Sequence, residues 1–198
     1  PSERGVIFFS EVCRRANTSG SVLDLADAAS ILWRLELEGV DVGDRWQQLP
    51  NMKTHLEDHV TCFNDAHMGA ALTRRGDTVE EKHLHDTLIE FTNNSEVDNT
   101  KVCKDVGVAL YEGMTLFGRG QYDKAAELML PIRHQIYRIG GSNAQRDVFT
   151  QTLIHACIRS TDPAHFQQTQ ALIDERSAMI KSPITERLAA QFRKYHPM

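Results

Sequence analysis

The chain has 198 residues, of which 41% are hydrophobic and 25% charged, and its formal net charge is −5. This length and balance predict a folded chain with a substantial core and exclude a disordered one. No stretch concentrates enough Lys and Arg to follow a phosphate backbone, and no apolar run approaches the roughly 20 residues of a membrane helix, so neither nucleic acid nor a membrane is a predicted partner.

Helix signals recur along the chain, whereas strand signals are nearly absent. In the first clear run, Leu25, Ala29 and Leu32 fall on one stripe after a capping residue at Ser21, and Gly39 ends the run because glycine reaches the left-handed conformation without steric cost. The predicted helices span 5–16, 21–38, 43–58, 60–75, 78–92, 101–119, 121–139, 143–160, 163–180 and 183–196. The polar stretch 93–100 is the clearest predicted loop.

A repeat signal lies in the middle of the chain. Gly113 and Gly120 are seven residues apart and are followed by Tyr122, which is typical of a tetratricopeptide hairpin: a small residue where helices approach, then a turn glycine. Gly69 and Gly76 repeat the same seven-residue step upstream. A helical hairpin cannot bury its apolar face alone, so such units are expected to stack.

We therefore predict an all-α fold of stacked antiparallel helical hairpins, a tetratricopeptide-like α-solenoid. Pro50 and Pro131 each remove a backbone donor and should bend the second helix of their hairpins. The chain is expected to be one helical-repeat domain or the C-terminal segment of a longer solenoid. Its predicted hairpins lie near 21–58, 60–92, 101–139 and 143–180, with a terminal helix at 183–196.

Several stretches resemble the tetratricopeptide repeat protein 38 family. They are Leu32–Val40 with Gly43–Gln47, Asp58–His59 with Phe63–His67, Leu130–Arg133, Gly140–Phe149, and Ser182–Pro183 with Thr185–Leu188. The resemblance runs in the family's order from about Val22 onward, while residues 1–20 and 93–100 depart from it. It implies an intracellular helical-repeat fold without assigned catalytic residues. Because the family's chains extend further on the N-terminal side, and this chain begins with Pro1, we expect a C-terminal segment.

A histidine-rich stretch around residues 55–67 offers the first candidate chemistry. His55 and His59 share a helical face at a spacing that can bind a metal, but the His-Glu-x-x-His order of zinc hydrolases is absent. The favoured interpretation is a buried or interface hydrogen-bond network that joins two hairpins. Its predicted members are His59, Asn64, Asp65 and His67.

The second candidate lies at 140–149. Ser142 and Gln145 have the spacing of a capping box, which accounts for the start of a helix. Asn143, Arg146 and Asp147 are left over, and a helix start with a guanidinium nearby can bind an anion or a partner's carboxylate. The favoured alternative is that Arg146 pairs with Asp147 or with an acid of another hairpin, such as Asp65.

Four cysteines, Cys13, Cys62, Cys103 and Cys157, are widely spaced and form no C-x-x-C pair. This spacing suggests neither a zinc cluster nor a disulfide framework, so we expect reduced, mostly buried thiols in a cytoplasmic protein without metal or cofactor.

The sequence thus favours a non-catalytic scaffold or interaction module that binds a protein or peptide, and it leaves a homo-oligomer open. The competing hypothesis is an enzyme or a small-ligand or anion-binding protein in which polar residues of adjoining hairpins converge in one pocket. The predicted ligand- or partner-binding residues are His59, Asn64, Asp65, His67, Arg133, Asn143, Gln145, Arg146 and Asp147.

Overall fold

A computed structural model describes residues 3–94, 97–179 and 181–195. The regular secondary structure of these residues is helical and includes no β-strand, which confirms the all-α prediction. Its α-helices are α1 (Glu3–Ser19), α2 (Val22–Leu37), α3 (Cys62–Arg75), α4 (Thr78–Asn94), α5 (Asp98–Val102), α6 (Val108–Gly118), α7 (Tyr122–Met129), α8 (Asn143–Arg159), α9 (Pro163–Met179) and α10 (Pro183–Tyr195).

The predicted helix at 43–58 does not form. Its place is taken by two short 3-10 helices, Gly43–Gln48 and Lys53–His55, on either side of Pro50. Proline lacks the N–H that a helix interior needs and also restricts the residue before it to extended backbone, which is the conformation of Leu49 (φ −64°, ψ 149°). Pro50 therefore interrupts the segment where a bend was expected.

The predicted helix at 121–139 is likewise wrong in its second half. α7 ends at Met129, two residues before Pro131, and the chain continues through turns into a 3-10 helix at Ile136–Ile139. The apolar residues of this irregular stretch, among them Ile132 and Ile136, are still buried. The spacing of these apolar residues in the sequence therefore predicted their burial correctly. It did not predict that the backbone here would be irregular.

The loop predicted at 93–100 is shorter than expected, because α4 extends to Asn94 and α5 begins at Asp98; residues 95 and 96 lie outside the described part. Between α5 and α6 the helix widens into one π-helical turn, Cys103–Gly107. Such turns are uncommon and occur frequently at functional sites.

The glycines of the repeat signal serve close packing and helix ends. A Cβ on Gly69 would lie 2.4 Å from the ring of Tyr111, so α3 and α6 can approach only because that atom is missing. Gly113 has the same role against the Met129 side chain of α7. Gly76 and Gly120 follow the ends of α3 and α6 in the left-handed conformation, with φ of 77° and 75°.

Two helices lie at the centre of the fold. Every residue of α3 from Cys62 to Leu72 is buried, and α8 is buried continuously from Gln151 to Ile158. α8 contacts α7 and α9, its neighbours in sequence, and it also contacts the distant α2. There Trp33 Nε1 donates a hydrogen bond to Thr152 Oγ1 at 2.9 Å. In a simple solenoid each repeat contacts only its neighbours in sequence. The contact with α2 therefore covers a side of α8 that linear stacking would leave exposed.

The burial of α8 includes a histidine without hydrogen-bond partners. His155 is 1% exposed, and neither ring nitrogen bonds to another described atom. Burial, helped by the nearby Arg159 charge, lowers the pKa of His155 to about 3. The ring is therefore neutral in the folded protein at pH values where an unfolded chain would protonate it.

We predict that replacing Gly69 by Ala destabilises the fold. The added methyl group meets the Tyr111 ring, which is held by its hydroxyl hydrogen bond to the Glu81 carbonyl. The overlap should exceed the gain in helix propensity and lower the free energy of unfolding by about 1–2 kcal/mol in urea denaturation. Glu127→Ala, at an exposed position of α7, is the control. A more stable Gly69→Ala variant would contradict the packing described.

A second prediction concerns pH. Because the folded pKa of His155 is depressed, the unfolded state binds the extra proton as pH falls below about 6.5, and stability must fall with it. Between pH 7.5 and 5.0 this one group should remove about 2 kcal/mol from the free energy of unfolding. His155→Gln should flatten the measured profile by that amount, whereas exposed His134→Gln should not. Parallel profiles for wild type and His155→Gln would refute the assignment.

Candidate functional site

The nine residues predicted to bind a ligand or partner fall in three separate places. His59, Asn64, Asp65 and His67 lie at the buried start of α3. Asn143, Gln145, Arg146 and Asp147 lie at the start of α8. Arg133 lies apart from both, in the turns after α7. The structure therefore does not bring the set together in one pocket.

At the start of α3, His59 faces Asp65. His59 Nδ1 lies 3.3 Å from Asp65 Oδ1, and both residues are nearly fully buried, at 4% and 1% exposure. The His59 ring also packs against Phe91 of α4, with 5.4 Å between ring centroids. His59 has φ of 41°, a left-handed backbone that is uncommon outside glycine and often marks a functional constraint.

This pair leaves polar atoms without partners. His59 Nε2, Asp65 Oδ2 and the side-chain oxygen of Asn64 are buried and make no hydrogen bond in the described structure. Burial raises the pKa of Asp65 despite the opposing effect of His59. Unpaired buried polar atoms cost roughly 1–3 kcal/mol each, so the arrangement needs an explanation beyond packing.

His67 takes a different role from the one predicted. Its Nδ1 lies 2.7 Å from the Phe63 carbonyl oxygen of its own helix, and its ring packs between Phe63 and Phe149 of α8. Burial lowers the pKa of His67 to about 4. The predicted network is buried, as expected, but His67 reaches the neighbouring hairpin through ring contacts and not through hydrogen bonds.

The start of α8 forms the predicted capping box. The Ser142 hydroxyl accepts the Gln145 amide hydrogen, and the Gln145 side chain accepts the Ser142 amide hydrogen at 2.9 Å. Arg146 folds back over this turn and donates to the carbonyl oxygens of Gly140 and Gly141 and to the side chain of Asn143. Its pairing with Asp147 or Asp65, expected from sequence, is not observed.

Asp147 instead accepts two hydrogen bonds from Arg176 of α9, whose side chain is 3% exposed. Gln151 donates a further hydrogen bond at 2.7 Å, and Arg34 of α2 approaches to 3.9 Å. Burial alone would raise the pKa of Asp147, but these hydrogen bonds and guanidinium charges outweigh it and hold the pKa below its ordinary value. Asp147 therefore joins α2, α8 and α9 as a structural ion pair.

Arg133 is held near α9. Its guanidinium donates to the Leu130 carbonyl at 3.0 Å and lies 3.8 Å from Glu175. It borders a shallow cavity of about 370 Å³ that is also lined by Pro131 and, from α9, by His165 and two other residues. Among the described residues, no hydrogen bond or ion pair connects Arg133 with the other predicted site residues.

A cleft of about 400 Å³ was not anticipated from the sequence. It lies where the C-terminal ends of α2, α3, α6 and α8 meet the start of α7. Trp33, Phe117 and Tyr122 form adjoining aromatic walls, with centroids of neighbouring rings 5.2–5.6 Å apart. Trp33 and Phe117 are only 3% and 7% exposed, so the spacing of apolar residues in the sequence cannot distinguish a cleft wall from the core at these positions.

Arg159, in the last turn of α8, lies over this cleft. Its guanidinium carbon is 5.3 Å from the Phe117 ring centroid and 5.5 Å from that of Tyr122, both at cation-π distance. Arg74 on the opposite side is already engaged with Glu36 at 2.7 Å. Arg159 has neither an acidic partner nor a hydrogen-bond acceptor among the described residues. Asp41, at the exposed edge, accepts the Gly43 amide hydrogen.

Three side chains in the buried region of α3 could hold a metal. Cys62, Asp65 and Cys103 place their ligand atoms within 4.8 Å of one another, and all three residues are buried. Sequence spacing did not indicate this group, because Cys62 and Cys103 belong to different helices that only the packing of α3 against the π-helical turn brings together.

No family model matches this chain, and no solved structure matches it either. Among the helices of the described residues, none combines the length and the apolar character that crossing a bilayer would require.

We predict that Asp147→Asn is strongly destabilising. The substitution removes the counter-charge of Arg176, which stays buried, and breaking a buried pair in this way should cost about 3 kcal/mol in the free energy of unfolding. Exposed Asp174→Asn on α9 serves as the matched control, with a change within about 0.5 kcal/mol. Adding Arg176→Met to Asp147→Asn should recover part of the loss. Equal stability of the two single variants would contradict the role of Asp147 in joining these helices.

Proposed function

We propose that this chain is a helical-repeat interaction module without catalytic activity, and that it binds a peptide segment of a partner protein in the cleft beneath Arg159. The observation that carries the proposal is Arg159 itself: a half-buried guanidinium, stacked on two aromatic rings, with no acceptor for its N–H groups among the described residues. A guanidinium presents donors in a planar fork that matches a carboxylate.

The chemistry of the cleft favours one kind of segment. The cleft is lined by the largely buried rings of Trp33 and Phe117 and by the half-buried Tyr122, which give it an apolar wall, while Arg159 offers hydrogen-bond donors beside it. We therefore expect an acidic residue next to an apolar one in the bound segment. The Glu36 carboxylate at the same cleft should repel such an acidic residue only weakly, because it is already engaged by Arg74 and by the Trp46 indole N–H.

The position of Arg159 at the end of α8 has a competing explanation. A cation in the last turn interacts favourably with the C-terminal end of its helix dipole, which is worth about 0.3–1 kcal/mol. That interaction requires only that the charge lies near the helix end, so it leaves the N–H groups of the guanidinium without acceptors. Arg159 can therefore interact with the helix dipole and bind a carboxylate at the same time.

The glycine pattern supports assigning the module to the tetratricopeptide type. In both the α3–α4 and α6–α7 hairpins, a glycine at a close helix contact precedes by seven residues a glycine in the left-handed conformation after the helix end. We accordingly propose membership of the tetratricopeptide repeat protein 38 family, an intracellular setting and a protein partner. A second copy of the chain is one candidate partner.

The competing hypothesis of an enzyme or small-ligand site is less well supported. It needed His59, Asp65, His67, Arg133, Arg146 and Asp147 to converge in one pocket. The first three are at most 4% exposed, and the last two are engaged with neighbouring backbone or side chains. A substrate would have to displace packed side chains to reach them.

The proposal is tested by selecting binders from a random peptide library on the immobilised chain and measuring synthetic copies by calorimetry. Selected peptides should combine an acidic and an apolar residue. Arg159→Gln should weaken their binding about 10–100-fold, the equivalent of a charge-assisted hydrogen bond of about 1.5–3 kcal/mol. The control is Arg14→Gln, a change of an exposed arginine on α1, which should leave the affinity unaltered.

Two results would overturn the assignment. One is that selected peptides bind Arg159→Gln as tightly as wild type, which would place their site elsewhere. The other is that no peptide is enriched over an empty surface. Circular dichroism of Arg159→Gln establishes beforehand that the variant is folded, so a loss of binding reports on the cleft.

A further inference from the structure

The buried group at the start of α3 contains donor atoms of a kind that soft metals prefer. Cys62 and Asp65 lie in the first turn of α3, and Cys103 begins the π-helical turn that packs against it. Their ligand atoms all lie within 4.8 Å of one another. In a tetrahedral zinc site with Zn–S bonds of about 2.3 Å, two sulfurs are about 3.8 Å apart, so the group is close to the spacing required.

The backbone is shaped to let the sulfurs meet. A Cβ on Gly107 would lie 2.5 Å from Cys62 Sγ and 3.5 Å from Cys103 Cβ, so any larger residue would push into the group. Gly107 closes the π-helical turn that Cys103 opens. A π-turn replaces regular helical hydrogen bonds, and here it coincides with the point where one thiol contacts the other helix.

A second, independent observation points to metal binding at this group. Asp65 Oδ2 has no hydrogen-bond partner in the described structure although Asp65 is only 1% exposed, and the same holds for Nε2 of His59. The packing of two thiols and a carboxyl group does not explain why Asp65 Oδ2 has no hydrogen-bond partner. A cation bound by that oxygen would explain it.

We propose that Cys62, Asp65 and Cys103 form a zinc-binding site, with His59 positioning the carboxylate. Two thiolates exclude the oxygen-seeking cations Mg²⁺ and Ca²⁺, and two cysteines fall short of the four that hold an iron–sulfur cluster. Zinc accepts sulfur, oxygen and nitrogen ligands together. His59 Nδ1, 3.3 Å from Asp65 Oδ1, occupies the place of the outer hydrogen-bond partner that metal-binding carboxylates usually have.

Binding one Zn²⁺ displaces the protons of the two thiols, because the thiolate is the form that binds the metal. Since all three side chains are buried, the ion has to enter while the chain folds or during local opening of the π-helical turn. The bound ion would then connect α3 to the α5–α6 segment. The site is therefore expected to stabilise the fold and to be resistant to chelators under native conditions.

The experiment uses the 198-residue chain, unfolded with chelator and reductant and then refolded with ZnCl₂ or with chelator alone. After gel filtration, elemental analysis should find one zinc per chain in the first sample, and its melting temperature should exceed that of the second. Refolding with Co²⁺ instead should produce the visible and near-ultraviolet bands of tetrahedral thiolate coordination.

Variants assign the ligands. Cys103→Ser and Asp65→Asn should abolish the retained zinc and the thiolate bands, whereas Cys157→Ser, a buried cysteine of α8 outside the group, should keep both. His59→Gln should bind zinc about 10–100-fold more weakly, as expected for a partner of a metal ligand. Because metal content is first measured on the wild type, the proposal does not depend on each variant folding.

Any one of four outcomes would overturn the site. The wild type refolded with ZnCl₂ contains no more zinc than a Cys62→Ser/Cys103→Ser variant; or Co²⁺ gives no thiolate bands; or Cys157→Ser loses zinc to the same extent as Cys103→Ser. A Cys62–Cys103 disulfide in the freshly purified chain, seen as two missing thiols by mass spectrometry after alkylation, would likewise replace the zinc site with a covalent link.

Discussion

The near-complete enclosure of α3 and α8 is the constraint on which the rest of the structure depends. Helices of globular proteins commonly bury one stripe and expose the other. Here the middle parts of both helices have no exposed side, so every polar group they carry must find its partner inside the protein or remain unpaired. The unusual chemistry of this chain follows from how those polar groups are accommodated.

Three solutions occur side by side. Asp147 is paired with the buried guanidinium of Arg176, which connects the start of α8 to α9. His67 and His155 stay uncharged, because burial lowers the pKa of each. Asp65 differs from both, since one of its oxygens has no hydrogen-bond partner among the described residues while two thiols lie close by. Ion pairing, neutralisation and metal binding are three physical routes by which a buried polar group becomes tolerable, and the third is the one proposed for Asp65.

Signals confined to a few neighbouring residues were sufficient to predict a large part of the fold. The all-α class, the capping box at Ser142 and Gln145, and the glycine positions at Gly69 and Gly113 depend on local backbone chemistry or on side-chain volume, and the structure agrees with each. The two irregular segments after Gly39 and Met129 were mistaken for helices, because apolar spacing reports which residues are buried and does not report whether prolines have broken the backbone between them.

The candidate site was much less predictable. The partner of Asp147 lies in α9, the thiol beside Cys62 lies across a π-helical turn, and the walls of the Arg159 cleft come from separate helices. These pairings depend on tertiary contacts such as that between Trp33 and Thr152, for which the sequence carries no local signal. The polar residues chosen from the sequence lie mostly in buried or helix-capping contacts. Arg159, which has no acidic partner among the described residues, lies instead beside aromatic side chains that are themselves largely buried.

Amide hydrogen exchange, followed helix by helix, tests the enclosure of α3 and α8 most directly. If both helices form one buried unit closed by α2, their central amides should exchange slowest in the protein and only through global unfolding, with the same free energy in α3 and α8. Exchange of the α8 amides by an independent, low-energy opening while α3 stays protected would show that α8 is a loosely attached repeat, which contradicts a shared enclosure of the two helices.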